Sequence, residues 1–113
     1  MTMFERLHHN ALLDTDLLRK NDELGDILTV TREVDFAFET DDRERGDDLA
    51  EFVNGKNYGA ATVSEITDGH FRVLVLITMP ITQYLISCVS GFMLCLSRLC
   101  QVDLGWGSAI QKR

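Results

Sequence analysis

The chain has 113 residues, 45% hydrophobic and 26% charged, with a formal net charge of −7 at pH 7. This length suffices for one domain with its own core, and the hydrophobic fraction argues against a disordered chain. Because an acidic surface repels phosphate and the basic residues are scattered, we expect no direct binding to nucleic acid. The charge favours a basic protein partner instead.

An amphipathic N-terminal helix is predicted over about 3–20. Its apolar positions recur along one side: Phe4, Leu7, Ala11 and Leu18. The polar segment that follows, with Gly25 as a turn residue, ends the helix. We expect a core over about 27–111 to follow, so that residues 1–113 form a single domain.

The segment 28–38 alternates between apolar and polar residues and therefore predicts a strand, with Val34, Phe36 and Phe38 on its apolar side. Arg32 interrupts that side, and we expect it either near the strand's edge or beside a carboxylate.

A charged helix is predicted over 41–54, because acidic residues at its start suit the helix dipole. Its narrow apolar contact consists of Leu49, Phe52 and Val53. Its four aspartates form the candidate surface for a basic partner: Asp41, Asp42, Asp47 and Asp48.

Two further strands are predicted over 58–66 and 71–79, joined by a tight turn in the segment TDGH at 67–70. The second of these strands is apolar on both faces, since Leu74 and Leu76 lie opposite its main apolar side. We therefore expect it to be central in the sheet and largely covered on both faces.

A long apolar helix is predicted over 81–100, with Pro80 at its start. Its main buried face is expected to comprise Ile81, Leu85, Cys88, Phe92, Cys95 and Leu99, and Ile86, Val89, Met93 and Leu96 broaden it. The uncharged stretch 73–97 is long enough to span a bilayer, but Pro80 divides it into a strand and a helix, so no membrane association is expected. We expect the three cysteines to be buried, reduced thiols, which favours the cytoplasm.

A last strand contains Trp106 between Gly105 and Gly107. The predicted order is one helix followed by β-α-β-β-α-β, an α+β fold of the ferredoxin-like kind with two helices on one face of an antiparallel sheet. Two interpretations of Trp106 stay open. Its ring either fills the space between the sheet and the long helix or anchors a partner at the surface.

No pattern in the sequence indicates an active site. His8 and His9 are adjacent on a helix and diverge, and His70 follows a tight turn, so a metal site is not expected. Cys88 has no base near it in the sequence that would make it a thiolate. We therefore expect neither catalysis nor a metal or other cofactor.

The Gly105-Trp106-Gly107 strand closing this order of elements resembles the regulator of ribonuclease E activity B family. The segments LGD at 24–26, VTREVDFAFETDD at 30–42 and NYGA at 57–60 support the resemblance. The chain departs from the family in having Leu104, not an acidic residue, directly before the glycine, and in its ending, Gln111-Lys112-Arg113, where the family has an acidic tail.

This resemblance implies a cytoplasmic, non-catalytic protein that binds the scaffold region of ribonuclease E and reduces or redirects RNA cleavage. Two alternatives stay open on the residues alone: a ligand-sensing or homodimeric ferredoxin-like module with another target, and a binding protein that neutralises a toxin.

Overall fold

A computed structural model describes the backbone of residues 2–108 and the side chains of residues 2–105. The described chain folds into three helices and four strands: α1 (Met3–Glu23), β1 (Arg32–Thr40), α2 (Arg43–Gly55), β2 (Ala60–Thr67), β3 (His70–Met79), α3 (Gln83–Cys100) and β4 (Asp103–Ser108). The predicted α+β class is confirmed. The first strand begins later than expected, because residues 28–31 form a turn and a short connection before β1.

The four strands form one antiparallel sheet in the order β2-β3-β1-β4. The sheet is compatible with a ferredoxin-like arrangement. The prediction that the strand at 71–79 is central is confirmed, since β3 pairs with both β1 and β2. The predicted turn between β2 and β3 is also present, and Gly69 adopts there the positive φ of 73° that glycine tolerates best.

The core lies on one face of the sheet, where alternate residues of β1 and β3 are buried against the helices. Val34, Phe36 and Phe38 are fully buried, as the alternation predicts. Helix α2 packs directly on β2 and β3, α3 adjoins β4 and α2, and α1 packs on α3. This arrangement explains why α2 buries a narrow side while α3 is apolar almost all round.

The other face of the sheet has no described helix packed on it. Its middle rows contain Leu74 opposite Ala37 and Leu76 opposite Asp35. Both leucines are half-buried, so this side of β3 is covered less completely than its core side. Burial of a strand on both faces requires a layer on each side, and the described helices supply only one.

Helix α3 begins at Gln83 and turns a different side to the core than the sequence predicts. Ile81 precedes the helix: it is buried, and its N–H donates to the carbonyl of Leu28 at 3.0 Å. Leu99 is 80% exposed, and Cys88 is exposed. The buried side of α3 consists of Ile86, Ser90, Met93, Leu96 and Ser97.

In length and composition, α3 is apolar enough to cross a membrane. Its packing accounts for part of that composition, because one side of the helix is buried in the core and a second side receives α1. The outward side, which carries Tyr84 and Leu99, stays exposed.

Helix α1 also differs from its predicted amphipathic face. Phe4 is 84% exposed, although it was expected on the apolar side, whereas Asp14 is buried. The amide of Asn10 donates to the hydroxyl of Ser90 at 2.9 Å and approaches Asp14 at 3.5 Å. The contact between α1 and α3 therefore includes polar side chains, which hydrophobic periodicity does not identify.

A buried ion pair holds the connection between α1 and β1. The guanidinium of Arg32 donates to both carboxylate oxygens of Asp26 at 2.7 Å, and both side chains are almost fully buried. Asn21 in the last turn of α1 donates to the same carboxylate at 3.1 Å. The expectation that Arg32 lies beside a carboxylate is thus confirmed.

Candidate functional site

A polar cleft of about 370 Å³ lies at one end of the sheet, where β1 ends and β3 and β4 begin. Three of its side chains are carboxylates, from Glu39, Asp41 and Asp103, and His70 and Arg98 also line it. We call this the acidic cleft. A second hollow on its β4 side is again lined by Glu39 and Asp103, so the acidic surface continues around the edge of the sheet.

Sheet register places Glu39 between a cation and an anion. On one side Arg72 of β3 donates to Glu39 Oε1 at 2.8 Å, and on the other side β4 places Asp103 opposite it. The bond from Arg72 is the main reason that the pKa of Glu39 lies below its ordinary value of 4.5, and His70, 3.8 Å away, acts in the same direction. Glu39 is therefore charged at neutral pH.

The predicted aspartates of α2 fall into two groups. Asp42 and Asp47 interact with their own helix: Asp42 caps it by accepting the N–H of Glu44 at 3.0 Å, and Asp47 lies 3.7 Å from Arg43. Asp41 lines the acidic cleft instead. The structure therefore does not present the four as one uniform patch.

Asp48 is exposed on α2 and is not among the residues that line the cleft. Burial is the main cause that raises the pKa of the Cys100 thiol, and the negative charge of Asp48 adds to it. Within the cleft, the cation of Arg98 compensates only part of the negative charge of Glu39, Asp41 and Asp103.

Sequence reasoning missed Glu39 and Asp103 as site residues. Each looked like an ordinary polar position on the solvent side of a strand. Only the pairing of β1 with β4 makes them neighbours, and the sequence gives no direct signal of which strands pair.

A second surface feature lies along α3, beside the segment that follows α2. It is an apolar groove of about 360 Å³, lined by Asn57, Tyr58, Ile77, Cys88, Val89, Phe92 and Met93. We call it the α2–α3 groove. The rings of Tyr58 and Phe92 meet edge to face with 4.9 Å between their centroids, and Phe52 of α2 lies 5.7 Å from Tyr58.

The outward side of α3 extends this apolar surface. Tyr84 is 79% exposed, Leu99 is 80% exposed, and Leu85 and Phe92 are more than one-third exposed. The expectation of three buried thiols was wrong for Cys88, which is exposed on this side, while Cys95 and Cys100 are half-buried. Large apolar side chains gathered on one surface are a common mark of interaction sites in proteins.

Of Trp106 the structure describes the backbone alone. Strand β4 pairs Trp106 with Phe36 and Gly105 with Ala37. The side chain of Trp106 lies outside the described residues, so both interpretations of its ring remain predictions.

Among the described residues, no group of three or more histidine, cysteine, aspartate or glutamate side chains could hold a metal ion. No protein-family model matches this chain, and no curated protein does.

Proposed function

We propose that this chain is a non-catalytic regulatory protein of the cytoplasm that binds a basic segment of a partner protein. The observation that carries the proposal is the acidic cleft, in which Glu39, Asp41 and Asp103 gather at one end of a strongly acidic molecule. The sequence resemblance makes the scaffold region of ribonuclease E the first partner to test.

The electrostatics of this end of the molecule support the proposal. The last carbonyls of α3 point toward the cleft end of the helix and carry partial negative charge, which adds to that of the carboxylates. Such a field accelerates the approach of a cationic partner and discriminates against anionic ones. A lysine or arginine side chain is the group that fits a cleft lined by carboxylates.

The proposed topology is ferredoxin-like, with β-α-β-β-α-β following an N-terminal helix. The sheet order β2-β3-β1-β4 and the placement of α2 and α3 between strands support it. In this arrangement the C-terminal end of β1 and the start of β4 meet at the cleft. The fold itself therefore brings Glu39 and Asp103 together.

The test is a binding titration of the purified protein with the purified scaffold region of ribonuclease E, at low and at high salt. We expect binding that weakens as salt rises. Replacing Asp41 and Asp103 by asparagine should weaken binding about tenfold, which corresponds to about 1.4 kcal/mol.

The matched control replaces Asp16 and Asp22 by asparagine. Both lie exposed on α1, and the change in net charge is the same. If both variants lost the same binding affinity, net charge and not the cleft would attract the partner. No binding by the unmodified protein at low salt would remove ribonuclease E as the partner.

A second candidate function is a homodimeric or ligand-sensing module. The observation that favours it is the uncovered face of the sheet, where Leu74, Leu76 and Ala37 are half-buried with no described helix over them. Sedimentation over a range of concentrations tests it. A dimer that Leu74→Lys dissociates would support it, and a monomer at every concentration would contradict the homodimer.

A further inference from the structure

Five side chains on the outward side of α3 repeat with the spacing that is typical of paired helices. They are separated by three, four, three and four residues: Leu85, Cys88, Phe92, Cys95 and Leu99. At about 100° per residue they fall within a sector of about 80°, and they extend over about 21 Å of the helix. We call this the α3 stripe. Its alternation of three and four is the repeat of a helix side that packs along a second helix.

No described helix of the chain packs on the α3 stripe. The side of α3 that faces the core is a different one, and α1 packs beside Ser90 and Gly91. Leu99 is 80% exposed, and Leu85 and Phe92 are each more than one-third exposed. The most regular apolar repeat of this helix therefore lies on a side that the described chain leaves open.

The charges of the molecule restrict what can cover this side. The only charged residue of α3 is Arg98, and the α3 stripe contains none. A helix that binds a membrane surface usually carries several lysine or arginine residues beside its apolar side, which α3 does not. Two copies with a net charge of −7 repel each other over most of their surface. An uncharged side is where two such copies can come into contact.

The sizes of the side chains fit a second copy of the same stripe that runs in the opposite direction. Counted from Leu85, the five members lie at steps 0, 3, 7, 10 and 14 along the helix. When the second helix is reversed so that its Cys95 is level with Leu85, its Phe92 is level with Cys88. The same two contacts recur by symmetry. Each of these four layers joins a large side chain to a small one, an alternation that fills the space between two helices.

A parallel pair of stripes would fill that space less well. Each residue would then face its own copy, so that Phe92 would meet Phe92 while Cys88 and Cys95 would leave two layers underfilled. The antiparallel pair also sets the two helix dipoles in opposite directions, which is the favourable arrangement for neighbouring dipoles. The order of large and small residues therefore favours an antiparallel partner.

We infer that the α3 stripe is a homodimer interface, in which two copies of this chain pair their α3 helices antiparallel about a two-fold axis level with Ser90. Leu85 contacts Cys95 of the second copy, and Cys88 contacts its Phe92. The two acidic clefts adjoin the C-terminal ends of the α3 helices and therefore lie at opposite ends of the dimer. The dimer does not depend on the proposed function, because no residue of the cleft belongs to the stripe.

The first experiment measures the oligomeric state of the full chain by analytical ultracentrifugation over a range of concentrations. We expect a reversible dimer. Cys88→Lys places a charge at an exposed position of the stripe and should raise the dimer dissociation constant roughly tenfold or more, and so should Phe92→Lys. Circular dichroism shows whether each variant is folded. The matched control is Phe4→Lys, which places the same charge at an exposed phenylalanine of α1 and should leave the dimer intact.

A disulfide tests the direction and register of the pair. In a background with Cys88→Ser and Cys100→Ser, the variant Leu85→Cys places a thiol level with Cys95 of the second copy. Mild oxidation should then give a covalent dimer on a non-reducing gel. Adding Cys95→Ser should abolish it, because the two copies of residue 85 lie about 15 Å apart along the antiparallel helices, beyond the reach of a disulfide.

The outcomes decide between this interface and the others. A monomer at every concentration would overturn the inference, as would a folded Cys88→Lys variant that dimerises normally. Dissociation by Leu74→Lys would place the interface on the open face of the sheet instead. A covalent dimer that persists without Cys95 would show a parallel pair and overturn the antiparallel one. The proposed function is tested separately, since Asp41→Asn with Asp103→Asn should weaken partner binding and leave the dimer unchanged.

Discussion

Removal of the Asp26 carboxylate should destabilise the protein far more than removal of an exposed one. In the Asp26→Ala variant the guanidinium of Arg32 stays buried but loses two bonds of 2.7 Å, and Asn21 loses its bond to the carboxylate. Two backbone carbonyls remain as acceptors, that of Val30 at 3.0 Å from Arg32 Nε and that of Ile27 at 2.5 Å from Arg32 Nη2, and being neutral they compensate only part of the charge. Breaking a buried pair of this kind costs about 3–5 kcal/mol.

That loss is large against the total stability of a domain, about 5–15 kcal/mol. The assay is urea unfolding at pH 7, followed by circular dichroism. We expect the unfolding midpoint of Asp26→Ala to fall with no change in the denaturant slope, which marks a change in stability and not in the compactness of either state.

The matched control is Asp16→Ala. Asp16 lies 3.4 Å from Arg19 with both side chains more than 60% exposed, so its loss should change the free energy of unfolding by less than about 1 kcal/mol. A double variant, Asp26→Ala with Arg32→Met, removes both buried charges and should be more stable than Asp26→Ala alone. The reasoning would be refuted if Asp26→Ala lowered the free energy of unfolding as little as Asp16→Ala does. It would also be refuted if the double variant were no more stable than Asp26→Ala.

Three further predictions concern a glycine, a carboxylate and a thiol. A Cβ at Gly59 would lie 2.7 Å from a methyl of β3 and 3.1 Å from a backbone oxygen, so Gly59→Ala should cost about 1–3 kcal/mol in urea unfolding. Gly55→Ala, with open space around it, should cost nothing. Because the pKa of Glu39 is lowered in the fold, its contribution to stability is present above the unfolded value near 4.5 and is lost as pH falls through the lower, folded value. The melting temperatures of the protein and Glu39→Gln should therefore differ at pH 7 and converge in strong acid; a constant difference would contradict this. Because the charge of Asp48 helps to raise the pKa of Cys100, Asp48→Asn should speed alkylation of that thiol at pH 8, with the rate followed by mass spectrometry, and an unchanged rate would argue against their proximity.

The strands were the part of the fold that sequence patterns predicted well. In β1 the alternation of Val34, Phe36 and Phe38 with polar residues corresponds to one buried and one open face of the sheet. The turn at Gly69 was also predictable, because the segment around it demands a positive φ. Both signals are local and need no knowledge of what packs against them.

The orientation of α3 and the composition of the site were not predictable in the same way. In a helix that is apolar nearly all round, the hydrophobic pattern does not show which side is buried. Leu99 and Met93 therefore look alike in sequence, although Leu99 is exposed and Met93 is buried. The acidic cleft depends on strand pairing, which joins Glu39 to Asp103 across the chain. Asp41 is exposed and lines the cleft, but the side chains beside it come from elements distant in sequence.

The order of the strands in the sheet has a consequence for how the chain reaches this structure. Only β2 and β3 are neighbours both in sequence and in space, joined by a tight turn, whereas β1 finds its partners in β3 and β4 much later in the chain. Closing those long loops costs entropy before the pairing stabilises anything, which slows folding. During synthesis the apolar side of β1 emerges from the ribosome before either partner strand exists. The hairpin of β2 and β3 is thus the natural first piece of the sheet, and β4, pairing with β1 alone, completes it last.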